Sequence, residues 1–103
     1  MLEREMAVEY ASWFRALADP TRVQLVQLLA HADRPLAVRE IVEEMGLAQS
    51  TVSQHLKVLA EVRFVLVEPA GNARLYGMNR NCVTCFPTAV DAIMGRGARS
   101  VVA

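Results

Sequence analysis

Apolar residues recur first at helical and then at strand spacing along this chain. In residues 5–18, "EMAVEYASWFRALA", Met6, Tyr10, Trp13, Phe14 and Leu17 fall three and four apart, which predicts an amphipathic helix. "ADPTRVQLVQLLAH" predicts a second, with Asp19 as N-cap and Pro20 at the first helical position. Its stripe of Val23, Val26 and Leu29, widened by Leu25 and Leu28, suggests a central helix touched on several sides. After the break at Pro35, "VREIVEEMG" reads as a short helix with Val38, Ile41, Val42 and Met45 inward, and Gly46 suits the left-handed position past its end. Gln49–Ala60 is again helical, with Val52, Leu56 and Leu59 on one stripe. The period then changes. "RFVLVEP" and "RLYGMN" predict strands near 63–68 and 74–79, joined by a turn in which Gly71 and Asn72 suit positive φ. A last helix over roughly 84–95 carries Phe86, Val90, Ile93 and Met94, with Pro87 in its first turn.

Two helices joined by so short a glycine-containing turn make a helix-turn-helix. A hairpin directly after it makes a winged helix. The expected fold is therefore mainly α with a small β-hairpin wing, as one domain over residues 1–103. The second helix of the pair begins unusually. Gln49, Ser50, Thr51, Ser53 and Gln54 crowd short polar side chains into its first turns, although such residues are poor helix formers. Ser50, Ser53, Gln54 and Lys57 lie opposite the apolar stripe, and no acidic group follows until Glu61. Glutamine pairs bidentately with adenine, and serine or threonine donates to either kind of acceptor. A helix N-terminus also favours phosphate. DNA contact would explain the crowding; capping of a plain surface helix is the bland alternative. His55 either touches phosphate or sits partly buried beside the stripe. Arg74, beside the predicted turn, is either a wing contact to DNA or a solvated arginine.

Net charge changes this picture little. The 103 residues carry no formal net charge, which alone argues against a nucleic-acid binder. Residues 1–45, however, hold five basic against eight acidic groups, whereas residues 46–80 hold Lys57, Arg63, Arg74 and Arg80 against Glu61 and Glu68. That asymmetry permits a basic face. Hydrophobic residues make up 53% of the chain, enough for a core, and no apolar run is long enough to span a bilayer. The acidic residues of "MLEREMAVEY" speak against a signal peptide, so a cytoplasmic location is expected.

The segments "LADPTRVQLVQLLA" and "STVSQHLKVLAEVRFV", with "ARLYGMN" behind them, resemble the ArsR/SmtB-type winged-helix repressors over roughly residues 10–80. The resemblance implies a homodimer on a pseudo-palindromic operator, released by a metal ion, a metalloid or another inducer. It also implies that the first and last helices form the dimer interface, through Tyr10, Trp13, Phe14, Leu17, Val90, Ile93 and Met94. Read without the resemblance, those residues complete a monomer core. Two features depart from the family. Ala48 stands where a serine often caps the recognition helix, a loss of about 1 kcal/mol. Both standard sensing sites are missing. "LAVREI", Leu36 to Ile41, lacks the Cys-Val-Cys of arsenic sensors, and "PTAVDAIMG" offers only Asp91 of the Asp and His set used by zinc sensors.

"NRNCVTCFP" holds the two cysteines, Cys82 and Cys85. On a helical turn both thiols lie on one face, close enough to chelate one thiophilic ion: Zn(II), Cu(I), Cd(II) or trivalent arsenic. Two thiols per chain do not complete a four-ligand zinc site, so a dimer, solvent or another segment would supply the rest. Redox sensing by the thiol pair and inert buried cysteines are the competing readings. His31, at the end of the second helix, is expected to meet that helix's last carbonyls. No catalytic constellation is evident, and the C-x-x-C lacks the βαβ context of a redox enzyme. The sequence therefore points to a ligand-responsive DNA-binding regulator. The alternatives are a redox- or partner-controlled repressor of the same fold and a protein–protein interaction module.

Overall fold

The computed structural model describes residues 1–80 and 90–94 of the chain. Four helices and three strands follow one another as α1 (Arg4–Ala16), α2 (Pro20–His31), β1 (Leu36–Ala37), α3 (Val38–Met45), α4 (Gln49–Glu61), β2 (Val65–Ala70) and β3 (Ala73–Met78). Residues 90–94 are helical, and the rest of the expected last helix lies outside the described residues.

Local chemistry sets most boundaries. The Asp19 carboxylate accepts from the Thr21 and Arg22 backbone N–H groups at 2.8 and 3.1 Å, and Pro20 occupies the first position of α2. The Arg22 N–H bond leads the interactions that hold the Asp19 carboxyl below its usual range. Glu40 reaches back to the Ala37 N–H at 3.0 Å, closing the start of α3, and is itself gripped by Arg34. The Arg34 guanidinium brings the Glu40 carboxyl down to about 2. Gly46 ends α3 at φ +67°, its N–H donating to Val42 O at 2.8 Å.

The core gathers where the elements meet. Leu25 and Leu29 of α2, Ile41 of α3, Val52, Leu56 and Leu59 of α4, and Val65 of β2 are all under 2% exposed. Burying each such side chain contributes roughly 1.5–3 kcal/mol. Val38, Val42 and Met45 pack partly against this cluster. Val23 does not: it is 51% exposed, so the inward face of α2 runs through Leu25 and Leu29, with Val26 and Leu28 at its margins. The expected stripe holds at Leu25, Val26, Leu28 and Leu29 and fails at Val23, because α2 is apolar over so much of its surface that period alone does not fix its rotation.

The sheet has the order β1-β3-β2, all antiparallel. β1 has no counterpart in the sequence pattern. Its two residues, Leu36 and Ala37, pair with Tyr76 and Leu75 and are too short to show a period. The hairpin runs in register from Val65↔Met78 to Ala70↔Ala73, leaving a two-residue loop. Gly71 takes φ +63°, while Asn72 stays out of the positive-φ region, so only the first loop residue is left-handed. β2 starts two residues later than expected, because Arg63 and Phe64 close α4. Arg63 N–H donates to Ala60 O and Phe64 N–H to Leu59 O, both at 3.1 Å, the bond pair of a Schellman cap. Such a cap places one residue in the left-handed region. Here that residue is Arg63, at φ +65°, where glycine is the usual occupant.

The left-handed conformation costs a residue with a Cβ roughly 1–2 kcal/mol. Arg63→Gly is therefore expected to stabilise the fold by about 1 kcal/mol, raising Tm by roughly 4–8 °C at fixed protein concentration. Arg63→Val is expected to lower it, since a β-branched residue is the worst fit there. Thermal melts of both variants followed by circular dichroism check this, and an Arg63→Gly protein that melts below wild type contradicts it.

Candidate nucleic-acid interface

Three residues, Gly46 to Ala48, separate α3 from α4, and α4 is rotated by its buried stripe. Val52, Leu56 and Leu59 are 0–1% exposed, which turns the remaining sides of the helix outward. Gln49, Ser50, Ser53, Gln54 and Lys57 are exposed, and Thr51 and His55 are half-buried. Ala48 supplies no side-chain cap, and the first turn holds no acidic residue. The helix thus presents amide and hydroxyl donors and acceptors, one ammonium and an N-terminus free of side-chain caps on a single outward side. Such a surface can meet base edges with its glutamines and serines and phosphates with its N–H groups.

The wing adds a second arm. Strands of six residues reach about 20 Å. Arg74 is exposed next to the loop, opposite Pro69 in the ladder. It can carry positive charge to a flanking groove or backbone. The structure therefore puts Gln49, Ser50, Ser53, Gln54 and Lys57 together on α4 and Arg74 apart from them on the hairpin.

His55 has a definite partner. Its Nδ1 lies 3.3 Å from Nη1 of Arg22, whose Nε also donates to Ala16 O at the end of α1. Arg22 was legible only as part of the "DPTR" entry to α2, and 33 positions separate it from His55, so no local pattern links the two. Arg80 is a second residue without a sequence signal. Its guanidinium donates to Ala30 O and Ala32 O, closing the C-terminus of α2. His31 bonds the same helix end, Nδ1 to Gln27 O at 2.9 Å.

The residues expected at a dimer interface divide between two roles. Trp13 and Leu17 pack partly against the protomer's own core, Trp13 with its ring 6.2 Å from that of Phe64 and 5.2 Å from that of Tyr10. Tyr10 is half-buried. Phe14, Ile93 and Met94 are 38%, 46% and 65% exposed, and Val90 is half-buried. Met6 and Val8 add to the exposed apolar surface of α1. Cys82 and Cys85 lie outside the described residues. Among the described residues no cluster of His, Cys, Asp or Glu is arranged to hold a metal ion, and no helix is long and apolar enough to cross a membrane.

A helix-turn-helix followed by a paired wing defines the winged helix-turn-helix fold. The chain belongs to the ArsR family: residues 19–66 match the model of the bacterial regulatory proteins of that family. It is 40% identical over 83 residues to the HTH-type transcriptional regulator Rv2034 of Mycobacterium tuberculosis, an alignment covering 81% of this chain and 76% of that one. It is also 40% identical over 84 residues to a probable mercury resistance operon repressor of Streptomyces lividans, covering 82% of this chain and 61% of the relative. Among solved structures, the homodimeric winged helix-turn-helix domain of Mb0332 from Mycobacterium bovis superposes with TM-score 0.70 at 24% identity, covering 93% of this chain and 90% of that one. The chain is thus a DNA-binding transcriptional regulator rather than an enzyme.

If α4 reads DNA, its exposed positions divide by kind. Ser53→Ala or Gln54→Ala is expected to lower affinity for a specific site by roughly 1–3 kcal/mol while sparing non-specific duplex. Lys57→Ala is expected to weaken all duplexes alike and to reduce the slope of log affinity against log salt by about one. Fluorescence-anisotropy titrations at several salt concentrations measure both effects. Wild-type affinity in Ser53→Ala and Gln54→Ala proteins would remove this helix from the groove.

Proposed function

We propose that this chain is a homodimeric transcriptional repressor that binds a two-fold operator through α4 and the wing and leaves it when a thiophilic metal ion or trivalent arsenic binds Cys82 and Cys85. The observation that carries the DNA half is the outward polar side of α4, opposite a stripe that is 0–1% exposed. Gln49, Ser50, Ser53 and Gln54 face bases and nearby phosphates, half-buried Thr51 adds a hydroxyl at their margin, Lys57 neutralises a phosphate, and Arg74 reaches the flanking DNA.

Geometry and surface both support dimerisation. A palindromic site needs two recognition helices about one helical turn of DNA apart. Exposed Met6, Val8 and Phe14 on α1, with Ile93 and Met94, form apolar surface that a second copy would cover. Sedimentation at micromolar concentration is expected to give a dimer. Phe14→Asp, which places a charge on the exposed part of α1, is expected to give folded monomers with weakened operator binding. A wild-type protein that sediments as a monomer contradicts this.

The effector half rests on donor chemistry. Cys82 and Cys85 are the only thiols of the chain, spaced to chelate one soft ion. The Streptomyces lividans relative is named for mercury resistance. A coupling of about 1–3 kcal/mol between the sites changes DNA affinity roughly 5- to 150-fold. Ligands must lose their protons to bind, so metal affinity rises with pH through the thiol range. Titration of Hg(II), Cd(II), Zn(II) and arsenite against the DNA complex is expected to release wild type and to spare Cys82→Ser/Cys85→Ser. Equal release of the double variant would make the cysteines bystanders.

A further inference from the structure

The Arg22–His55 pair lies between α2 and α4, apart from the exposed residues of the recognition side. Arg22 stands in the first turn of α2 and joins three elements at once. Its Nε donates to Ala16 O, a carbonyl that α1 leaves without an intrahelical partner, while its Nη1 meets His55 Nδ1 of α4 at 3.3 Å. Guanidinium groups only donate hydrogen bonds. A hydrogen bond between them therefore requires Nδ1 as the acceptor, which places the ring N–H on Nε2. No described residue accepts from that Nε2–H. Half-buried His55 nonetheless leaves no buried polar atom unsatisfied, so Nε2 reaches solvent.

We infer that Arg22 is a positioning residue for DNA recognition: it fixes the tautomer and orientation of His55 so that the Nε2–H is presented outward as a donor to a DNA phosphate oxygen. The inference rests on the DNA-binding reading of α4. Phosphate is the fitting acceptor for two reasons. His55 is half-buried at the margin of α4, whereas Ser53, Gln54 and Lys57 are exposed along its outward side, so the ring meets the flanking backbone rather than the groove floor. A phosphate oxygen also accepts from a neutral N–H at whatever sequence it flanks. The arrangement gives Arg22 a role beyond closing α1: the end of α1 and the orientation of a DNA-facing donor are held by one guanidinium.

The test uses the full-length protein and the duplex that wild type recovers from a random-sequence library. Nitrogen-15 spectra of the imidazole at neutral pH are expected to give one neutral tautomer for His55, with Nδ1 unprotonated and Nε2 protonated. His55→Ala is expected to weaken both the selected duplex and an unrelated one about tenfold, with an unchanged salt slope because no charge is lost. Arg22→Met, which keeps the stem and removes the donors, is expected to mix the tautomers and cost about as much. The double variant is then expected to lose about tenfold, not about a hundredfold, because the two changes disable one contact. If Arg22→Met does not fold, Arg22→Lys replaces it, since a single ammonium cannot hold Ala16 O and the imidazole in the same fork geometry. A ring protonated on Nδ1, or multiplicative losses in the double variant, overturns the inference. A duplex that His55→Ala binds as well as wild type overturns it too and leaves the DNA-binding reading standing. Failure of wild type to recover any duplex contradicts that reading itself.

Discussion

Burial of Val52, Leu56 and Leu59 fixes the rotation of α4, and the surface chemistry of the molecule depends on that rotation. The three side chains fill the space between α2, α3 and β2, where Leu29, Ile41 and Val65 are equally closed to solvent. A turn of the helix by one residue would expose about 100° of this stripe and bury serine and glutamine in its place. Each unsatisfied polar group would then cost roughly 1–3 kcal/mol. The core thus holds a poor helix-forming segment in register, and the polar first turns are free to serve a partner. Gly46 and the Schellman cap at Arg63 fix the two ends of the same helix, so neither its entry nor its exit can slide.

The electrostatic design is local rather than global. A chain with no formal net charge gains little long-range steering towards a polyanion. Binding by such a protein depends instead on placement: Lys57 and Arg74 on the outward elements, an acid-free first turn on α4, and acidic residues concentrated before residue 45. Arg34 and Arg80 are engaged in internal contacts, one gripping Glu40 and the other closing α2.

Much of this was legible in the sequence, and the failures have physical causes. The α4 stripe, the Gly46 turn, the Asp19 cap and the hairpin all announce themselves through period or turn chemistry confined to a few neighbouring residues. β1 does not, because a two-residue strand exists only through its pairing with Leu75 and Tyr76. Val23 was misplaced because a broadly apolar helix carries little phase information. The cap at Arg63 was hidden because the usual signal for a left-handed residue is glycine, and arginine fills the position here. Arg22 and His55 are linked only by the fold. The exposed polar side of α4 was thus predictable residue by residue, while the contacts that orient it were not.

The central claim is that the outward side of α4 and the wing face DNA. The most direct measurement is a nitrogen-15 chemical-shift titration of the protein with the duplex it selects from a random library. The account predicts that backbone amides of residues 49–57 and of the hairpin tip around Arg74 shift most, with those of the exposed α1 face unmoved. Shifts confined to α1 or to residues 90–94, with α4 unmoved, would contradict it.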